Sequence, residues 1–375
     1  MPLGLLPSFV PFQPHFLFRG GHAQTLAGHL QGRLPGRAPR RPGLRTEKLI
    51  IPCDDESGDR LLFYVERYHR SASVPAVVLV HGLEGDAHSG YILILARKLL
   101  AAGFHVLRLN MRTCGDGLHI ARNAYNAGLT LDLQTILVFA RKFLSERVAV
   151  VGFSLGANVV LKYFGEDQEE RNRQREFLRT PPQKGAIRDR LAETFVAVSP
   201  PLDLRSSCHK IDSSTMGIYR MNFIAEMKRS ILEKNYTLPF DPEKELPEIR
   251  TIFDMDHSFT APMAGFRTAL EYYATASARR YVEKIETPGL VLHAEDDPMI
   301  SMEGWQNVNW QKVPHIQSVL TREGGHLGWY AKKHPLFRDR RWMDYMVVNY
   351  LMEWRDRKGY GPAHPDLRSL SFRVA

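Results

Sequence analysis

Val148-Ala149-Val150-Val151-Gly152-Phe153-Ser154-Leu155-Gly156 joins an apolar, β-branched run to a Gly-x-Ser-x-Gly string, and Leu155 to Phe164 then carry apolar side chains at helical spacing. β-Branched residues favour a buried strand and the 3.6-residue period favours a helix, so Ser154 stands where a strand turns sharply into a helix. Such a turn strains its central residue, exposes that side chain and leaves no room for bulk on either flank. Gly152 and Gly156 meet that demand. The helix behind the turn starts with free N–H groups and the positive end of its dipole, which makes the Leu155 N–H a candidate oxyanion donor.

Strand and helix signals alternate outward from this turn. Strand candidates are Glu47–Ile51, Leu61–Arg67, Ala76–Val80, Phe104–Leu109, Val148–Val151, Thr194–Val198, Leu290–His293 and Ser318–Thr321. Helical spacing appears in Tyr91–Ala102, Leu131–Leu144, Leu155–Phe164, Ile218–Leu232 and Trp342–Trp354. This pattern predicts an α/β protein with an eight-stranded, mostly parallel sheet and helices on both faces. The expected organisation is an N-terminal arm at 1–45, a core formed by 46–201 and 287–375, and a helical cap insertion at 202–286. Glu166 to Arg190, with six acidic and seven basic residues and Pro181-Pro182, reads as a solvated surface insertion.

Two further loops carry chemistry. His81-Gly82-Leu83-Glu84-Gly85 follows the third strand, where a glycine-rich loop can supply a second oxyanion donor, assigned to the Leu83 N–H. His81 reads as a residue that orders this loop, and Glu84 and Asp86 as solvated charges. Gly324-Gly325-His326 follows the last strand and presents an imidazole, the candidate base. After the seventh strand comes Ala294-Glu295-Asp296-Asp297-Pro298. One of these carboxylates is expected to orient His326; Asp297 is chosen, with Asp296 the alternative. The order Ser154, Asp297, His326 is the nucleophile-acid-base order of α/β-hydrolases. Asp254-Met255-Asp256-His257 offers metal-ligand residue types without a metal-site spacing, so no metal and no cofactor are expected. Met216, Tyr219, Met221, Phe223, Met227, Tyr272 and Tyr273 can line an acyl pocket or form the cap's own core.

With 375 residues, 44% of them hydrophobic, the chain can build one large α/β domain with an insertion. Cys53, Cys114 and Cys208 are widely spaced and form no Cys-x-x-Cys pair, which fits a reducing cytoplasm. No segment matches a membrane span. Residues 1–50 hold seven Arg or Lys against Glu47 alone, part of a net charge of +9. Arg33, Arg37, Arg40, Arg41 and Arg45 fall in a Pro/Gly-rich loop open to peripheral membrane contact, although a solvated loop accounts for them as well. No aromatic residues interleave with these arginines, so nucleic acid is not an expected partner, and nucleotide loops of the Walker or Gly-x-Gly-x-x-Gly type are absent.

The chain resembles the YheT-like α/β-hydrolases, relatives of animal α/β-hydrolase-domain acylglycerol lipases and phospholipases. The resemblance runs from Gly21-His22-Ala23-Gln24-Thr25 through His81–Gly85, Asn110-Met111-Arg112-Thr113-Cys114-Gly115 and the Ser154 turn. It continues to Phe253-Asp254, Thr260-Ala261-Pro262, Gly265-Phe266 and Tyr272-Tyr273. It implies the α/β-hydrolase fold, carboxylic ester hydrolysis and Ser154, Asp297 and His326 as the charge-relay residues. The expected partner is a small-molecule ester; the apolar arm and the Met-rich cap favour acyl esters of medium or longer chains, acylglycerols among them, over small polar substrates. A thioester would react by the same steps, and a hydrolase-fold binding protein without turnover is the rival from another class.

Overall fold

Period-two alternation sends successive strand residues to opposite faces, and here both faces are apolar, as a sheet covered on two sides requires. The computed structural model describes residues 10–33, 43–67, 73–178, 190–214, 217–234, 238 and 241–357. All eight strand candidates are strands: β1 (Arg45–Pro52), β2 (Arg60–Arg67), β3 (Ala76–Val80), β4 (His105–Asn110), β5 (Val148–Phe153), β6 (Thr194–Val198), β7 (Gly289–Ala294) and β8 (Ile316–Thr321). They form one sheet in the order β1-β2-β4-β3-β5-β6-β7-β8. β2 is antiparallel to both its neighbours, and β4 to β8 run parallel with β3.

The longer helices before β7 are α1 (Gly21–Arg33), α2 (Gly90–Ala101), α3 (Thr130–Phe143), α4 (Leu155–Leu178), α5 (Leu204–Asp212) and α6 (Ile218–Glu233). Val77, Leu79, Val151 and Phe153 pack with α2 and the C-terminal helix Trp342–Arg357 on one face. Val78, Val80 and Val150 pack with α3 and α4 on the other. Because β4 and β5 lie on opposite sides of β3, the chain reverses its direction of winding there. A crevice opens at the carboxyl ends of the strands at such a point.

The charged stretch departs from expectation. α4 does not stop at Phe164 but continues to Leu178, into the charged stretch read as an insertion. Its Glu, Gln and Arg residues are good helix formers. Lys162 pairs with Glu166 and Lys284 with Glu169, while buried Gln168 accepts from Arg190. The remainder of that stretch, 179–189, lies outside the described residues. The N-terminal segment, read as an arm, contains α1 and is docked on the core. Pro14 bridges Ala331, and the Trp342 indole N–H donates to the Val10 carbonyl at 2.6 Å. Arg37, Arg40 and Arg41 of the basic loop lie outside the described residues.

Between β6 and β7, α5, α6 and the helix Ala269–Ala276 share an apolar cluster of their own, including Ile224, Met227, Ile252, Phe259, Tyr272 and Tyr273. Buried Arg112, which follows β4, pairs with Asp55 and Asp59 of the β1–β2 connection and with Asp132 of α3, tying two segments distant in sequence to one guanidinium.

Candidate active site

β5 ends at the crevice and hands the chain to α4 through Ser154, whose φ of 51° is the left-handed conformation a non-glycine residue seldom adopts. A Cβ on Gly156 would collide with the carbonyls of Val80 and His81, and one on Gly152 with the backbone of Gly156 and Ala157. The two glycines therefore let the turn lie directly against the end of β3. The strained geometry is held by the Ser154 N–H donating to Val198 O at 2.9 Å.

The loops after β7 and β8 bring the other two predicted residues to this serine. His326 Nε2 lies 2.9 Å from Ser154 Oγ, and His326 Nδ1 lies 2.8 Å from Asp297 Oδ2. Asp297 is fully buried and His326 is 8% exposed. The second carboxylate oxygen accepts from the N–H groups of Met299 (2.8 Å) and Ile300 (3.0 Å). Burial alone would raise the pKa of Asp297. The adjacent His326 imidazole and its hydrogen bond, with His293 and the Ile300 N–H, outweigh burial and hold it below the ordinary carboxylate range. An ionised Asp297 takes the Nδ1 proton of His326 in a hydrogen bond, so the Nε2 lone pair faces the serine hydroxyl.

Asp296 goes elsewhere: its Oδ1 accepts from the Gly325 N–H at 2.8 Å, and burial raises its pKa. Of the adjacent pair, only Asp297 reaches the imidazole.

Gly82 brings the β3 loop onto the serine, since a Cβ there would lie 3.0 Å from the Ser154 Cβ. The Gly82 N–H donates to Tyr91 Oη and the Glu84 N–H to Tyr125 Oη, each at 2.9 Å. Among the described residues, the N–H groups of Leu83 and Leu155 have no such acceptor. His81 is buried in this loop, with Nδ1 2.8 Å from Gly82 O and Nε2 accepting the Met111 N–H at 3.1 Å. Burial lowers its pKa, which fits a neutral ring that organises the loop. Glu84 is not a solvated charge. Its carboxylate accepts from Tyr125 Oη (2.8 Å) and Ser230 Oγ (2.6 Å), linking the loop to α6. Asp86 caps its own turn by accepting the His88 N–H at 2.8 Å.

Ser154 and His326 open into a cavity of about 970 Å³, including its mouth, walled by Leu204, Phe223, Met227, Phe259, Tyr272 and Met299 among others. Of the cap aromatics and methionines singled out in the sequence, Phe223, Met227, Tyr272 and Tyr273 line it, Met221 is exposed, and Tyr219 stacks on His22 of α1. Met216 lies outside the described residues. Asp254 caps its helix with Thr251, and Asp256 accepts from Tyr273 Oη at 2.7 Å, with burial pushing its pKa up to about 6. The described residues contain no group of three or more His, Cys, Asp or Glu side chains placed to hold a metal ion.

Thr25 and Gln24 of α1 were not singled out as site residues, yet both contact the His326 loop: Thr25 Oγ1 accepts the His326 N–H at 2.8 Å and Gln24 Oε1 the Tyr330 N–H at 2.7 Å. The only signal in the sequence was the motif Gly21–Thr25 itself.

The model of the alpha/beta hydrolase family matches residues 77–339. A monoacylglycerol lipase of Saccharomyces cerevisiae is 28% identical over 309 residues, covering 80% of this chain and 63% of its own length. A putative esterase, YheT, of Escherichia coli is 25% identical over 338 residues, covering 88% and 92%. Among solved structures, the Pyrococcus furiosus esterase Pf2001 superposes with a TM-score of 0.51 at 15% identity, covering 93% of this chain and 98% of that one.

Proposed function

The chain belongs to the alpha/beta hydrolase family, and from that premise we propose that it hydrolyses carboxylic esters through an acyl-enzyme on Ser154. The observation that carries this reading is the continuous chain from Ser154 Oγ to His326 Nε2 at 2.9 Å and from His326 Nδ1 to Asp297 at 2.8 Å, placed at the mouth of an apolar cavity. His326 removes the Ser154 proton as Oγ attacks the ester carbonyl carbon. The tetrahedral oxyanion is met by the Leu83 and Leu155 N–H groups, and Asp297 stabilises the imidazolium. The intermediate collapses with loss of the alcohol, which takes the proton from His326. A water activated by the same imidazole then attacks the acyl-enzyme, releases the carboxylic acid and frees Ser154.

The helices between β6 and β7 act as a cap in this reading, and their Phe, Met and Tyr side chains favour an acyl chain over a small polar substrate. Relatives named as a monoacylglycerol lipase and an esterase support the same class. Exposed Phe16, Leu17, Leu26 and Leu30 on the N-terminal segment suit peripheral contact with the lipid surface from which such esters are drawn. No helix among the described residues is long and apolar enough to cross a membrane.

The test is hydrolysis of p-nitrophenyl esters from acetate to palmitate by the wild type and Ser154→Ala. Turnover by the wild type is expected, with loss of about 10³-fold or more in the variant. Absence of turnover in a folded wild type would favour a binding protein.

A further inference from the structure

The loop that carries His326 is bent into conformations that its residues do not favour. Gly325, Leu327 and Trp329 have φ of 58°, 57° and 44°, and two of the three are bulky L-residues. Left-handed backbone at such residues persists only where the surroundings over-determine it. Three side chains from elsewhere accept the loop's N–H groups: Asp296 from Gly325, Thr25 from His326 and Gln24 from Tyr330, at 2.8, 2.8 and 2.7 Å.

Two of those three come from α1. Thr25 Oγ1 gives its own proton to the Gly21 carbonyl at 2.7 Å, which turns a lone pair toward the His326 N–H. The approach is close along the whole face: a Cβ on Gly28 would lie 2.8 Å from Leu327 O, and Gln24 is fully buried. On its outer side α1 touches the cap, where His22 Nδ1 lies 3.1 Å from Tyr219 Oη and the rings stack.

We propose that α1 is a positioning element of the reaction: Thr25 fixes the backbone of His326 so that its imidazole lies between Asp297 and Ser154. The proposal rests on His326 being the base, as argued above. Loss of the Thr25 hydroxyl leaves a buried N–H without an acceptor and lets the loop relax. Displacing an imidazole by a fraction of an ångström weakens proton transfer more than it weakens substrate binding.

The experiment compares wild type, Thr25→Val, Thr25→Ser and Ser154→Ala for kcat and KM on one p-nitrophenyl ester, with amide hydrogen exchange across 322–331. Thr25→Val is expected to lower kcat about 10- to 100-fold with KM changed less than about threefold, while Thr25→Ser stays within about threefold of wild type. Exchange at 324–330 accelerates in Thr25→Val and not in Thr25→Ser. Should Thr25→Val not fold, Thr25→Cys, a much weaker acceptor, takes its place with the same direction expected. The proposal is overturned if the variant lacking the hydroxyl keeps kcat within about twofold, or if Thr25→Ser falls equally far. Ser154→Ala that still turns over removes the reading of the site itself; an inactive Ser154→Ala beside a fully active Thr25→Val removes only the role of α1.

Discussion

Asp296 and Asp297 have the same side chain and adjacent numbers, and three-dimensional placement alone separates their roles. Asp297→Asn would present an amide N–H to His326 Nδ1, forcing the ring proton onto Nε2, where it blocks acceptance of the serine proton. A loss of about 10⁴-fold in kcat is expected. Asp296→Asn keeps an oxygen for the Gly325 N–H and is expected to lose less than about tenfold; equal losses in the two would return the choice to open. The depressed pKa of Asp297 also fixes a sign for stability. Its ionised form is favoured in the folded chain, so this stabilisation is present above the unfolded value of about 3.9. It is lost as pH falls through the lower folded value. The urea midpoint of Asp297→Asn is therefore expected below wild type at pH 7, with the gap closing toward pH 3. A gap independent of pH would show that ionisation contributes nothing.

At the scale of elements, the Arg112 cluster joins β4's end, the β1–β2 connection and α3. Arg112 joins Asp55, Asp59 and Asp132, all but Asp55 nearly inaccessible to water. Arg112→Met should cost about 3–5 kcal/mol, because it strands buried carboxylates rather than merely deleting a pair; a thermal midpoint within a degree of wild type would contradict this. The strands, the turn at Ser154 and the two loops that answer it were legible because their signals are local: β-branched runs, glycines where backbones touch, and an acid and an imidazole each just after a strand. α1 was not legible. The face it buries carries Gly21, Gln24, Thr25 and Gly28, which make polar and close backbone contacts, so it has no apolar period to read. The far half of α4 was hidden for the opposite reason. Its charges signal solvent, and the partners Lys284 and Arg190, outside the helix, add to its own helix propensity and intrahelical pairs. Glu84 was misread likewise, since Tyr125 and Ser230 are not its neighbours in the chain.

At the scale of the whole molecule, the loops at the sheet's carboxyl end bring Ser154 and His326 together, and helices between β6 and β7 supply much of the cavity wall beside them. Met227 belongs to that segment's own cluster and also faces the cavity. Met227→Trp should shorten the preferred p-nitrophenyl ester by several carbons while turnover of the acetate stays within about threefold. An unchanged chain-length optimum would place the acyl chain along another wall.

The contact between Thr25 and His326 spans 301 positions of sequence. At a synthesis rate of about 5–20 residues per second, α1 leaves the ribosome roughly 15–60 s before the loop it clasps exists. For that interval Gln24 and Thr25 have only their local acceptors, the Phe18 and Gly21 carbonyls, and not the Tyr330 and His326 N–H groups they later bind, and the exposed leucines have no finished surface beside them. α1 thus waits for a partner made much later in synthesis, and the base it is proposed to position is held in place only once that loop exists.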